Sequence, residues 1–268
     1  MGVGAPGAPE LRTLKLTLAY DGARFVGWQR QADGESVQGC VEAALEPFEG
    51  APVTVHGAGR TDAGVHALAQ VASVELRCAY ATDVLARGLN ARLPREIRVT
   101  AVEEAAPGFH ARFSARAKHY RYLVRHGGEA SPFERAWVWA VPEALDVSVM
   151  HAEAAALVGT HDFAAFQSVG SGVSGTVRTL TRAEVVSTAG GVHPAAPGGL
   201  LALEVSGDGF LRHMVRALAG TLVEVGRGRR PRGTMAALLA GGRRADAGPT
   251  APPQGLFLVA VDYGPTQE

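Results

Sequence analysis

The sequence predicts an α+β fold made of two β-α-β-β-α-β units with their sheets side by side. Three observations predict it. Short runs in both halves alternate apolar and polar residues, the mark of half-buried strands. Between them stand stretches with apolar residues three and four apart, the spacing of one helix face. The two kinds of stretch come in the same order before and after Pro107, and that order is ferredoxin-like.

The first unit opens with Leu14, Leu16, Leu18 and Tyr20, which alternate with polar or small residues as a strand. The loop YDGARFVGWQRQ follows. Ser36 is placed to cap a helix whose apolar face is Val37, Cys40, Val41, Ala44, Leu45 and Phe48. Pro47 is expected to distort its last turn. Residues 52–57 and 69–76 read as strands around a glycine-rich loop. Thr82 is the expected cap of a helix to about Leu93, ended by Pro94, and 97–103 is the closing strand.

In the second unit, KHYRYLVR (118–125) sets Tyr120, Tyr122 and Val124 against His119, Arg121 and Arg125, again a strand. Asp146 caps a helix to about Val158, stopped by Gly159. Strands near 177–187 and 199–206 precede a helix from about Phe210 to Val225. A short helix after Pro231 and the strand GLFLVAVDY (255–263) complete the unit. QSVGSGVSGT (167–176) reads as a mobile loop, and TAGGVHPAAPGG (188–199) as an exposed hairpin connection. The expected organisation is a flexible tail at 1–12, an N-terminal half at 13–107 and a C-terminal half at 108–268.

A chain of 268 residues, 47% hydrophobic and 19% charged, can bury a substantial core and is not a disordered composition. No apolar run is long enough to span a bilayer, and MGVGAPGAPELR lacks the basic and apolar regions of a secretory signal. The cytoplasm is the expected compartment. Cys40 and Cys78 stand in no metal-ligand spacing and predict no disulfide framework; Cys40 reads as a buried thiol on a helix face. Net charge is zero, yet cations cluster. From Ala105 to Gly128 there is no acid, while Arg112, Arg116, Lys118, Arg121 and Arg125 are present. Arg227, Arg229, Arg230 and Arg232 form a second group. Arginine suits bidentate phosphate contacts and stacking on bases.

Asp62, in HGAGRTDAGVHALAQ (56–70), is the only carboxylate from Ala51 to Val74. On spacing alone, GRTDAG is either a tight turn tied down by Arg60 or a loop that presents a reactive carboxylate. It is not a P-loop, since no Gly-Lys-Ser/Thr follows, and not a calcium loop, since the spaced acids are missing. The nine histidines show no zinc pattern, and His66 reads as a loop hydrogen-bonder. No second carboxylate of the glycosidase kind stands nearby. Tyr120 and Tyr122 share a strand face, as core aromatics or as base-stacking groups. Arg216, in GFLRHMVR, either snorkels to solvent or pairs with a partly buried carboxylate.

The pieces YDGARFVGWQRQ, GAGRTDAGVHALAQV, GFHARFSARAKHYRYLV, HDFAAF, FLRHMVR and GLFLVAVDY, in this order from about Leu14 to Tyr263, resemble the tRNA pseudouridine synthase A family. The resemblance implies a pseudouridine synthase fold, whose two ferredoxin-like halves share a central, mostly antiparallel sheet with helices packed on it. It implies a homodimer, no metal and no organic cofactor. It further implies isomerisation of uridine to pseudouridine at positions 38, 39 and 40 of the tRNA anticodon stem-loop, on a flipped-out nucleotide. Carried onto this sequence, Asp62 is the nucleophile and Arg60 fills the space left by the flipped base. Tyr120 packs on the uracil and helps remove the C5 proton. Arg216 pairs with Asp62 and keeps it ionised. The chain departs from the pattern at Asp208, where asparagine is expected, and in its glycine-rich 167–176 loop. A non-catalytic RNA-binding protein of two ferredoxin-like units, or a synthase acting on another RNA, are the alternative readings. RRM modules share the element order, but the RNP1-type aromatic signature is absent.

Overall fold

The computed structural model describes residues 10–168, 175–188 and 198–264. Most of the expected N-terminal tail, and the middles of the 167–176 and 188–199 segments, lie outside these residues.

Ten strands form one sheet: β1 (Arg12–Tyr20), β2 (His56–Gly57), β3 (His66–Leu76), β4 (Ile97–Glu104), β5 (Ala117–His126), β6 (Trp139–Val141), β7 (Gly159–Asp162), β8 (Val177–Ser187), β9 (Gly199–Gly207) and β10 (Leu256–Asp262). Five helices accompany them: α1 (Val37–Glu49), α2 (Thr82–Arg92), α3 (Val147–Ala155), α4 (Met214–Gly226) and α5 (Thr234–Leu239). The strand order is β4-β1-β3-β10-β5-β9-β8-β7, with β2 on β3 and β6 on β5. Within it, β4-β1-β3-β2 and β10-β5-β9-β8 are each an antiparallel ferredoxin-like arrangement. The two sets are not merely side by side. β10 pairs with β5 antiparallel and with β3 parallel, at Phe257–His66 and Leu258–Ala67, so a single sheet runs through the molecule.

The core follows the alternation. Leu14, Leu16, Leu18 and Tyr20 of β1 and Tyr120, Tyr122 and Val124 of β5 join one apolar cluster with Val41 and Leu45 of α1, Leu85 and Leu89 of α2, and Leu218 and Leu222 of α4. Each fully buried side chain of this kind contributes roughly 1.5–3 kcal/mol. No helix among the described residues is long and apolar enough to cross a membrane.

Local chemistry sets the ends. Ser36 accepts the Gly39 N–H and caps α1, which continues through Pro47 to Glu49 and ends on left-handed Gly50. Asp146 caps α3 through the Val149 N–H. Thr82 is the first residue of α2 rather than its cap, which is Ala81 with no side-chain bond. The 52–57 strand shrinks to two residues, because one flank of β3 is divided between β2 at Ala72 and Ser73 and β10 at His66 and Ala67. Cys40 is half-buried and donates to Glu35; burial, then that bond, pushes its thiol up to about 12.

Candidate active site

The GRTDAG loop joins β2 to β3 and is clamped from several sides. Trp28 N–H donates to the Thr61 carbonyl (3.0 Å), and Ala58 N–H donates to the Val71 carbonyl (2.8 Å). Tyr20 OH and Thr61 Oγ1 are 2.8 Å apart, and Gln70 Nε2 donates to the Gly59 carbonyl (2.9 Å) and to Tyr20 OH (3.4 Å). Burial pushes the Tyr20 phenol up to about 12, so it stays a neutral hydrogen-bonding post.

The loop's glycines serve this clamp. A Cβ on Gly57 would lie 2.4 Å from the Trp28 ring, and one on Gly59 would meet Lys118 Cε at 3.2 Å. Gly64 takes φ 76 against Pro253. Packing on Trp28 thus accounts for glycine at 57 and the left-handed backbone accounts for it at 64, whereas the flexible end of Lys118 can give way at 59.

Asp62 is held at the mouth of this loop. Arg216 Nη1 donates to Asp62 Oδ2 at 3.3 Å, while its Nε donates to the Ala251 carbonyl at 2.8 Å. The guanidinium is largely buried, and it pairs with the carboxylate instead of snorkelling. The expected helix from Phe210 starts only at Met214, because His213 takes a left-handed backbone (φ 62). Arg216 therefore sits in the first turn of α4, where a side chain can reach back to the β2–β3 loop. His213 Nε2 lies 3.4 Å from the same Oδ2.

Tyr120 stands on β5 with its ring edge-on to Phe210 (4.9 Å) and its hydroxyl directed at Gly59. Burial raises its pKa strongly, and the charge of nearby Asp62 adds to this, so the group is a neutral phenol. Tyr122 is wholly core, its hydroxyl tied to the Pro252 carbonyl. Arg60 is exposed, and its Nε donates to Gln29 at 3.2 Å. His66 is a buried first residue of β3 whose Nδ1 accepts the Gly22 N–H (3.1 Å).

Three of the four expected residues, Asp62, Tyr120 and Arg216, thus converge; Arg60 lies on the outer side of the same loop. Sequence reasoning missed Tyr20, Trp28, Gln70 and His213. The first two look like core aromatics in a period-2 strand and a loop. His213 lies in a run that reads as continuous helix.

The two basic groups differ. Arg227 and Arg229 are paired with Glu143 and Glu224, and Arg230 donates to the Asp246 and Ala247 carbonyls. Arg121 pairs with Glu204 and Arg125 with Glu134. Arg112 and Lys118 have no carboxylate partner among the described residues. Arg112 lies over the Phe113 ring, which is 76% exposed and packs on His110 (4.3 Å). Burial, chiefly, lowers the Lys118 pKa, with Arg112 adding to the effect and Asp208 opposing it. Asp208 is held by β8: its N–H donates to the Thr179 carbonyl and its Oδ1 accepts the Thr179 N–H, both 3.1 Å.

The chain is 49% identical to tRNA pseudouridine synthase A of Solidesulfovibrio magneticus, over 94% of this chain and 91% of that protein. It is 45% identical to the Myxococcus xanthus protein of that name, over 93% and 91%, and 42% identical to that of Geobacter sulfurreducens, over 94% and 100%. A family model described as tRNA pseudouridine synthase matches residues 17–114 and 154–264, which include Asp62 and Arg216 but not Tyr120. On these matches and this fold, the chain belongs to the tRNA pseudouridine synthase family.

Proposed function

We propose that this chain isomerises uridine to pseudouridine in tRNA, at positions 38, 39 and 40 of the anticodon stem-loop, with Asp62 as nucleophile on a flipped-out nucleotide. The carrying observation is the pairing of Asp62 with Arg216 beside Tyr120, in a chain of this family. The reaction breaks C1′–N1 and forms C1′–C5. C5 loses a proton and N1 gains one, so nothing is added or removed overall. One carboxylate suffices, because the detached uracil returns to the sugar and no water needs activation.

The residues divide the work. Arg216, fixed at Ala251, holds one oxygen of Asp62. Tyr120 offers its ring to the uracil. As a buried neutral phenol it assists removal of the C5 proton through its hydroxyl as a hydrogen-bonding group, not as a ready phenolate. Arg60, exposed beside the loop, occupies the place of the extruded base. Phe113 and Arg112 form an exposed platform suited to stacking and phosphate contact. In this reading residues 13–107 supply Asp62 and 108–268 supply Tyr120 and Arg216. The protein works in the cytoplasm as a homodimer, one protomer holding the RNA body while the other modifies the anticodon arm. Light scattering with and without tRNA tests that part; a monomer with full turnover overturns it.

The main test maps pseudouridine by position in unmodified tRNA. Wild-type protein yields product at 38–40, and Asp62→Asn yields none while still binding tRNA. Turnover of Asp62→Asn within about tenfold of wild type, a barrier change of only about 1.4 kcal/mol, removes Asp62 from this role.

A further inference from the structure

We propose that His213 is a positioning residue for Asp62: its imidazole, fixed by a left-handed backbone and by Ser168, holds one carboxylate oxygen so that the other faces the reacting nucleotide. The proposal rests on the uridine-isomerase reading above and deepens it.

The backbone is the first observation. His213 has φ 62 and ψ 6, and among the described residues it is the only non-glycine at positive φ. A residue with a Cβ is disfavoured there, and such strain persists where the surroundings enforce it, often at functional sites. Here the turn ends a Met214 N–H to Leu211 carbonyl bond (3.1 Å), and the His213 carbonyl accepts from Ala217 (2.9 Å). His213 thus begins α4 without supplying a side-chain cap. Its ring is left for another purpose, three residues ahead of Arg216.

The second observation is where the ring goes. Nδ1 lies 2.6 Å from Ser168 Oγ, and Nε2 lies 3.4 Å from Asp62 Oδ2. Arg216 Nη1 reaches that same Oδ2 at 3.3 Å. Asp62 Oδ1 has no partner among the described residues. One oxygen stands between two nitrogen groups, and the other is free to react. The 3.4 Å approach is at the long end for a hydrogen bond; such contacts commonly tighten when substrate fills an active site.

Charge decides the tautomer. Burial lowers the His213 pKa, Asp62 opposes this, and Arg216, Arg212 and Arg244 reinforce it. These are the charged groups facing the ring: one from the β2–β3 loop, two from its own segment and one from the 244–246 turn. A neutral ring accepts the Ser168 O–H at Nδ1 and turns Nε2–H towards Asp62. Protonation in acid places a second cation beside Asp62 and draws charge from the nucleophile. The rate therefore falls in acid as His213 gains its proton.

Two variants separate positioning from backbone shape. His213→Asn keeps the left-handed preference but not the reach. His213→Gln keeps a donor of similar reach and cannot titrate. Single-turnover pseudouridine formation is followed from pH 5.5 to 8.5, with tRNA affinity measured alongside. The expected result for Asn is a rate loss of about 10- to 100-fold, the scale of one lost active-site hydrogen bond, with affinity unchanged. Gln keeps most of the wild-type rate at pH 8 and loses the acid fall. A wild-type rate in Asn, a rate in Gln as low as in Asn, or an acid fall in Gln equal to wild type overturns the proposal. A nitrogen-15 titration of His213 needs no turnover: Asp62→Asn lowers its pKa if the two groups face each other, and an unchanged titration overturns the contact. Wild-type protein that makes no pseudouridine defeats the functional reading instead, and the titration still decides this one.

Discussion

Asp62 and Arg216 are 154 positions apart in the chain and 3.3 Å apart in space. Arg216 bridges two fixed points, since Nε holds the Ala251 carbonyl while Nη1 holds Asp62. A lysine has one ammonium on a flexible stem and cannot reproduce this fork. Arg216→Lys is therefore expected to lower the single-turnover rate about 10- to 100-fold, one charge-assisted hydrogen bond of about 1.5–3 kcal/mol. Circular dichroism should show an unchanged fold. A rate within twofold of wild type would show that charge alone is enough.

Phe113 is 76% exposed, lies beneath Arg112, and packs its ring on the half-buried His110. If it stacks on a base, Phe113→Ala weakens tRNA affinity by about tenfold, within the 1–3 kcal/mol per stacked base seen elsewhere. Melting temperature should not move. Filter binding at two salt concentrations checks this; equal affinity in both proteins excludes stacking there.

Arg125 and Glu134 form a bidentate pair at 2.8 and 2.7 Å, with side chains only 5% and 4% exposed. Removing one partner strands the other charge away from water. Glu134→Ala is expected to destabilise the fold by about 3–5 kcal/mol. Urea unfolding measures it, and a loss below 1 kcal/mol would mean that water reaches the freed guanidinium.

His66 makes stability depend on pH. Burial lowers its folded pKa, with Asp21 opposing. In the unfolded chain the imidazole titrates near the ordinary value of about 6.5. As pH falls through that range, the unfolded state takes up a proton that the folded state refuses. Stability from this group is thus complete above about 6.5 and falls below it, with a slope of at most about 1.4 kcal/mol per pH unit. His66→Asn, whose Oδ1 can still accept the Gly22 N–H, should flatten the urea midpoint between pH 7 and 5. An unchanged slope assigns the acid sensitivity to other groups.

The sheet was legible where one face is buried, because burial imposes period two on Leu14 to Tyr20 and on Tyr120 to Val124. β6 and β7 were not, since three and four residues are too few to show a period. Asp62 and Arg216 were legible through ordered motifs, not through spacing, which left a tight turn and a snorkelling arginine open. The posts behind them were hidden for a different reason. Tyr20 and Gln70 hold the loop by hydrogen bonds made inside the core, and a strand pattern does not say which buried side chain carries a useful polar atom. The start of α4 was placed too early, because apolar spacing continues through Phe210 and Leu211 while His213 breaks the helix by its backbone alone.

The pairing of β10 with both β3 and β5 also sets a timetable. β10 leaves the ribosome after the other nine strands, and the Ala251 carbonyl that steadies Arg216 emerges only shortly before it. A growing chain can order β1, β3 and β4, and later β5, β8 and β9, as separate foldons. Until β10 arrives, the edges of β3 and β5 it will occupy stand open to wrong partners. The sheet is therefore whole only once β10 has joined β3 to β5.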